Sequence, residues 1–99
     1  MIEVKRHSNG ISIQGHAGYA PHGQDIVCAA VSAIVQTFLA SVHELTADTI
    51  HVTETPQGQI QSIQYERLSE RAQVLLDALF IGIQMIADTY PANVRIVQA

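Results

Sequence analysis

One cysteine and one histidine lie close together in the first third of this chain. Cys28 is the only cysteine among the 99 residues, and His16 precedes it by twelve positions. A thiolate with an imidazole beside it is the minimal machinery for nucleophilic acyl transfer, because the imidazole takes up the thiol proton and later returns it. Cys28 is therefore the candidate nucleophile and His16 the candidate base, against the alternative that Cys28 is a small buried core residue.

The residues before Cys28 predict that it lies in the first turn of a helix. Asp25 is a favourable N-cap, and apolar residues follow it at helical spacing. A thiol there meets the positive end of the helix dipole, which favours the thiolate. Asp25 has a second possible role, in which it orients the His16 imidazolium within a Cys-His-Asp arrangement, and both roles remain open.

A flexible loop is predicted between the two side chains, because glycines interrupt any regular element there. Loops of this kind often carry function. Substrate-binding candidates around the loop and the helix start are Gly15, Ala17, Gly23 and Ser32. Backbone amides from Gly23 to Val27 are the expected donors to an oxyanion, since amides at a helix N-terminus point toward negative charge.

His22 is a second candidate base, but it lies in the middle of the loop, where a fixed orientation is hard to hold. Together with His16 and Cys28 it would form an unusual zinc site without a short ligand pair. We therefore expect neither a metal nor another cofactor.

The segments Gly15-His16-Ala17, Gly23 and Asp25 to Ser32 (DIVCAAVS) resemble the signature of the ribosomal-processing cysteine protease family, Prp. The resemblance in length and order of elements extends over essentially the whole chain. It implies a cysteine endopeptidase that removes a short N-terminal extension from ribosomal protein twenty-seven of the large subunit, with Cys28 as nucleophile and His16 as base. It also implies a hydrophobic, partly aromatic recognition stretch before the cleaved bond.

Two other functions fit the same residues. The first is a non-catalytic peptide-binding module for ribosome assembly, in which Cys28 merely packs. The second is a thiol redox sensor, which needs a reactive cysteine but no histidine and usually a resolving cysteine, and this chain has only one cysteine.

Composition restricts the partners. The length predicts a single domain over residues 1–99, and the hydrophobic content of 47% with only 14% charged residues indicates apolar surface that a partner covers, most simply in a homodimer. The net charge of −4 without a basic cluster argues against nucleic acid and favours a basic protein partner.

The single cysteine and the absence of a signal-like N-terminus favour the cytoplasm. The segment from Val74 to Ala87, taken as the most apolar, is interrupted by polar residues and is shorter than the roughly 20 residues of a membrane span, so no membrane association is expected.

Hydrophobic periodicity predicts an α+β fold with the order β-β-α-β-β-α-β, in which two helices pack on an antiparallel-rich sheet. A hairpin turn is predicted at Asn9-Gly10, with His16 on the polar face at the end of the second strand. The helices are predicted from about Asp25 to Glu44 and from Ser69 to about Thr89. Ile60 is out of phase with Ile63, which a bulge or an error in the strand boundary near Ser62 would explain.

The second helix is apolar on nearly all its faces, and such a helix needs cover on both sides. We expect one face to pack on the sheet and another to contribute to a dimer interface.

Overall fold

The computed structural model describes residues 1–98 and contains the elements in the predicted order. These are β1 (Ile2–His7), β2 (Gly10–Gln14), α1 (Ile26–Leu45), β3 (His51–Glu54), β4 (Ile60–Gln64), α2 (Glu70–Thr89) and β5 (Val94–Gln98). The α+β class and the β-β-α-β-β-α-β order are confirmed. Both helices begin and end within about one residue of their predicted limits, with Asp25 and Ser69 as N-caps.

The five strands form one mixed sheet in the order β3-β4-β2-β1-β5. Only the β1–β5 pair is parallel among the strand pairs of residues 1–98, so the sheet is antiparallel-rich as predicted. The expected irregularity in β4 is present. Thr53 pairs with Ser62 whereas Glu54 pairs with Ile60, which leaves Gln61 as the extra residue of a bulge.

The hydrophobic core lies between the sheet and the two helices. Alternating strand residues such as Val4, Ile11 and Ile63 are at most 2% exposed and belong to the same buried cluster as the inner faces of both helices. Helix α1 contributes Val27, Val31, Val35, Phe38 and Val42 to this cluster, and α2 contributes Leu76, Leu79, Phe80, Ile83 and Ala87. Helix α1 is therefore fixed against the sheet, and with it the position of Cys28.

The first hairpin turn lies one residue earlier than predicted. His7 pairs with Gly10, so the two turn residues are Ser8 and Asn9, and Gly10 belongs to β2. Gly10 is needed there for close packing rather than for a turn, because a Cβ atom on it would lie 2.6 Å from the backbone oxygen of Ile63 in β4. The prediction of Asn9-Gly10 as the turn was wrong because it ignored the neighbouring strand.

Both helices are long and apolar enough to pass for membrane spans by length and hydropathy, and α1 rather than α2 is the more apolar. Core helices of soluble proteins often have the same length and hydropathy. The choice of the segment from Val74 to Ala87 as the most apolar was therefore wrong. It overlooked α1, which contains few charged side chains.

Candidate active site

Cys28 is the third residue of α1, in the first turn of the helix, as predicted. Asp25 caps this helix. One of its carboxylate oxygens, Oδ1, accepts hydrogen bonds from the backbone N–H groups of Val27 and Cys28, each at 3.0 Å. The cap thus satisfies two of the amides that a helix start leaves free.

The other Asp25 oxygen, Oδ2, binds the preceding loop. It accepts from the N–H groups of Tyr19 at 3.0 Å and Ala20 at 3.3 Å. The hydrogen bond from the Cys28 N–H is the largest of the interactions that hold the pKa of the Asp25 carboxyl below its ordinary value, and desolvation opposes them. Within residues 1–98 the Asp25 side chain makes no hydrogen bond to His16. Its geometry is that of a cap.

The Cys28 sulfur is half-buried and faces the loop backbone. Its Sγ accepts a hydrogen bond from the Ala17 N–H at 3.3 Å. The Ala17 carbonyl oxygen in turn accepts from the side-chain amide of Asn93 at 2.9 Å, across 76 positions of sequence. Since the Ala17 side chain is only 2% exposed, this residue reaches the site through its backbone alone.

His16 lies two residues beyond the end of β2, in an exposed position. The strand ends at Gln14 and Gly15 takes a φ of 88°, so alternation along the strand does not set the direction of His16 as predicted. The backbone carbonyl of His16 accepts from the backbone nitrogen of Met1 at 2.5 Å. Among residues 1–98 no hydrogen bond joins its imidazole to the Cys28 sulfur, although both residues line the same cleft.

This cleft has two compartments on either side of Cys28. The hairpin compartment, about 410 Å³, lies between the end of β2, α1 and the turn joining β3 to β4. The loop compartment, about 400 Å³, is bordered by the loop of residues 16–25 and the start of α1. The residues that border both compartments are His16, Cys28, Ser32 and Gln59.

The two compartments differ in chemistry. The hairpin compartment has no charged residue in its lining, an apolar floor that includes Ile13, Val35 and Ile60, and a rim of glutamine side chains. The loop compartment instead contains His22 and Asp25. A chain crossing Cys28 would pass from a compartment without charged side chains to one that contains His22 and Asp25.

The remaining candidates are distributed over this cleft. Gly15 borders the hairpin compartment, Gly23 borders the loop compartment, and Ser32 borders both, whereas Ala17 borders neither. The Ser32 hydroxyl makes no hydrogen bond to Cys28 or to the loop within the described residues. No group of three or more His, Cys, Asp or Glu side chains in residues 1–98 is arranged to hold a metal ion.

Sequence reasoning missed Asn93 and Gln59. Pro56, Gln57 and Gly58 are typical turn residues and indicate the turn that carries Gln59, but nothing local indicates that this turn lies near the start of α1. The bulge in β4 and the pairing of β2 with β4 determine that placement.

Comparisons with known proteins agree with this geometry. A ribosomal processing cysteine protease Prp from Bacillus subtilis is 29% identical over 100 residues, covering 93% of this chain and 89% of its own. Another from Staphylococcus aureus is 27% identical over 89 residues, covering 87% of this chain and 82% of its own. Two crystal structures of the ribosomal processing protease Prp from S. aureus share this fold over the full length of both chains at 24% identity. Their TM-scores are 0.94 with a covalently linked product peptide and 0.87 with a substrate peptide.

A family profile described as cysteine protease Prp matches residues 1–95. Because this match spans nearly the whole chain, including the Cys28 helix and the loop before it, the protein belongs to the Prp family and is a cysteine protease.

Proposed function

We propose that this protein removes the N-terminal extension of ribosomal protein twenty-seven of the large subunit, with Cys28 as nucleophile and His16 as base. The observation that carries the proposal is that the Cys28 sulfur, at a helix start, shares an open cleft with His16. Relatives named as ribosomal processing proteases support it. The basic character of ribosomal proteins also suits a protein of net charge −4.

The reaction begins at Cys28. Its thiolate attacks the scissile carbonyl, so that a bond forms between Sγ and the carbonyl carbon and negative charge moves to the oxygen. His16, having accepted the thiol proton, donates it to the leaving amine when the C–N bond breaks. A water activated by His16 then hydrolyses the thioester and frees the thiol. The Ala17 N–H, 3.3 Å from Sγ, orients the sulfur and stabilises its anion.

His16 is favoured over His22 as the base because of its place in the cleft. His16 borders both compartments with Cys28, whereas His22 borders the loop compartment alone. Asp25 acts as a positioning residue, because both of its oxygens are engaged by backbone N–H groups. The uncharged hairpin compartment suits a hydrophobic, partly aromatic stretch of substrate.

The proposal is tested by incubating a peptide that spans the ribosomal protein's N-terminal extension with wild type, Cys28→Ala, His16→Ala and His22→Ala, followed by mass spectrometry. We expect one cut by wild type and by His22→Ala, and none by the other two variants. A peptide that binds without being cut would favour a non-catalytic assembly module. Cleavage by His16→Ala but not by His22→Ala would reverse the assignment of the base.

We further propose that the protein is a homodimer that works in the cytoplasm, where ribosomal proteins are made. Support for the dimer comes from α2, whose Val74, Ile81 and Met85 side chains are 62%, 63% and 65% exposed. With Ala78 they repeat at helical spacing and lie directly opposite the face that packs in the core. A contiguous apolar stripe of this kind is typical of an interface.

A further inference from the structure

The negative charge that develops on the scissile carbonyl oxygen needs a hydrogen-bond donor. A helix start ordinarily supplies backbone amides for this purpose. Here the N–H groups of Val27 and Cys28 already donate to Asp25 Oδ1 at 3.0 Å each. Releasing them would uncap α1. Of the amides from Gly23 to Val27 that were expected to bind the oxyanion, that of Val27 is therefore already engaged.

Four further backbone amides around the sulfur are also engaged. The Tyr19 and Ala20 N–H groups donate to Asp25 Oδ2, and the Gln24 N–H donates to the Pro21 carbonyl at 2.9 Å. The Ala17 N–H points at Sγ itself. The N–H groups of Gly23, Asp25 and Ile26 have no hydrogen-bond partner within residues 1–98, and a side-chain donor on the opposite wall of the cleft would act together with them.

Gln59 lies on that wall. Gln59 borders both compartments, as His16, Cys28 and Ser32 do, but it belongs to the β3–β4 turn. Its carboxamide has no hydrogen-bond partner within residues 1–98, whereas its backbone is fully engaged. A neutral amide donor suits an oxyanion because it stabilises the charge without forming an ion pair with the thiolate.

The turn holds the Gln59 backbone in place through Thr55. The Thr55 N–H donates to the Gln59 carbonyl at 2.7 Å, and the Gln59 N–H donates to Thr55 Oγ1 at 3.2 Å. The Gly58 N–H donates to the Thr55 carbonyl at 2.9 Å. Because these bonds involve only the Gln59 backbone, replacing its side chain leaves the turn intact.

We propose that the Gln59 side-chain amide donates a hydrogen bond to the oxyanion formed when Cys28 attacks the scissile carbonyl. This inference rests on the proposed peptidase function. The proposal gives the β3–β4 turn a role in catalysis besides forming a wall of the hairpin compartment.

The test compares Gln59→Ala and Gln59→Glu with Gln64→Ala, a control in which an exposed glutamine of β4 outside both compartments is removed. Loss of one oxyanion donor lowers kcat by about 10²-fold or more. We expect a loss of this size in Gln59→Ala with KM little changed, and a larger loss in Gln59→Glu, whose carboxylate repels the oxyanion. Gln64→Ala should match wild type. A rise in KM at constant kcat would overturn the proposal, since it would mark Gln59 as a substrate-binding residue only.

A second measurement does not depend on turnover. An N-acetylated peptide aldehyde ending in phenylalaninal forms a hemithioacetal, in which Sγ bonds to the aldehyde carbon and the thiol proton moves to its oxygen. We expect Gln59→Ala to bind this aldehyde at least about tenfold more weakly than wild type, while the corresponding alcohol binds both equally. Equal aldehyde affinity would overturn the proposal even where peptide cleavage by wild type upholds the function. If wild type neither cleaves the peptide nor binds the aldehyde, both proposals fail.

Discussion

The Asp25 carboxylate joins the loop of residues 16–25 to the start of α1 through four backbone N–H groups. These hydrogen bonds lower the folded-state pKa of the Asp25 carboxyl below its ordinary value, and the bond from the Cys28 N–H contributes most. A lowered pKa means that the carboxylate stabilises the fold above the unfolded-state value of about 3.9, and that this contribution is lost as the pH falls through the folded-state pKa. We therefore expect Asp25→Asn to lower Tm at neutral pH, and its difference from wild type to vanish in acid.

Activity should also fall in Asp25→Asn, because the same hydrogen bonds position Cys28 and the loop. Asp48→Asn is the matched control. Asp48 accepts from the Ser69 N–H at 2.7 Å and from Ser69 Oγ at 2.6 Å, and the Ser69 hydroxyl lowers the Asp48 pKa most. Asp48 borders neither compartment. Thermal unfolding and cleavage assays should show lower stability in both variants but lower kcat/KM in Asp25→Asn alone. Equal activity in the two would contradict the positioning role.

At the residue scale, the predictable part of the site is the part that lies in one stretch of sequence. Asp25 as cap and Cys28 in the first turn followed from local rules of helix initiation. Gln59 and Asn93 could not be found in this way, because they reach the site through strand pairing and a contact across 76 positions.

At the scale of elements, β2 determines where the cleft opens. It pairs with β4 only from Gly10 to Ser12, although it continues along β1 to Gln14. Beyond Ser12 the bulge at Gln61 lets the β3–β4 hairpin diverge from β2, and the hairpin compartment occupies the space between them. Alternation predicted where the strands lie, but the turn position and this divergence depend on how neighbouring strands meet.

The close approach of β4 to Gly10 gives a testable consequence. In Gly10→Ala the new Cβ would lie 2.6 Å from the Ile63 carbonyl oxygen, and a backbone neighbour cannot move without disturbing the pairing. We expect a loss of about 1–3 kcal/mol in the free energy of unfolding, measured by urea denaturation.

Gly82→Ala is the control for this prediction. Its new Cβ would lie 3.0 Å from the Cδ1 atom of the Ile34 side chain, which can change rotamer, and alanine favours the helix. Its stability should therefore stay within about 1 kcal/mol of wild type. An equal loss in both variants would mean that the approach of β4 is not the reason for glycine at position 10.

At the scale of the whole molecule, one layer of helices covers one face of one sheet, which leaves the outer face of α2 without a partner in the described residues. The parallel pairing of β1 with β5 places the first and last strands side by side in the sheet. The sequence predicted the number and type of elements, but not this strand order, because periodicity identifies buried faces and does not identify their neighbours.

Mutations in the exposed stripe of α2 should change the oligomeric state of the protein. A lysine at its centre, in Ile81→Lys, would bury a charge in the proposed interface, so we expect dimer affinity to fall by about 30-fold or more, or about 2 kcal/mol. Val52→Lys is the control, because Val52 is exposed on the edge strand β3, away from α2. Sedimentation velocity at micromolar concentration should show dimers of wild type and of Val52→Lys, and monomers of Ile81→Lys. Since no residue of the stripe borders the Cys28 cleft, a monomer should still cut the peptide. A monomeric wild type would refute the dimer, whereas a monomeric but inactive Ile81→Lys would mean that the cleft needs the second subunit.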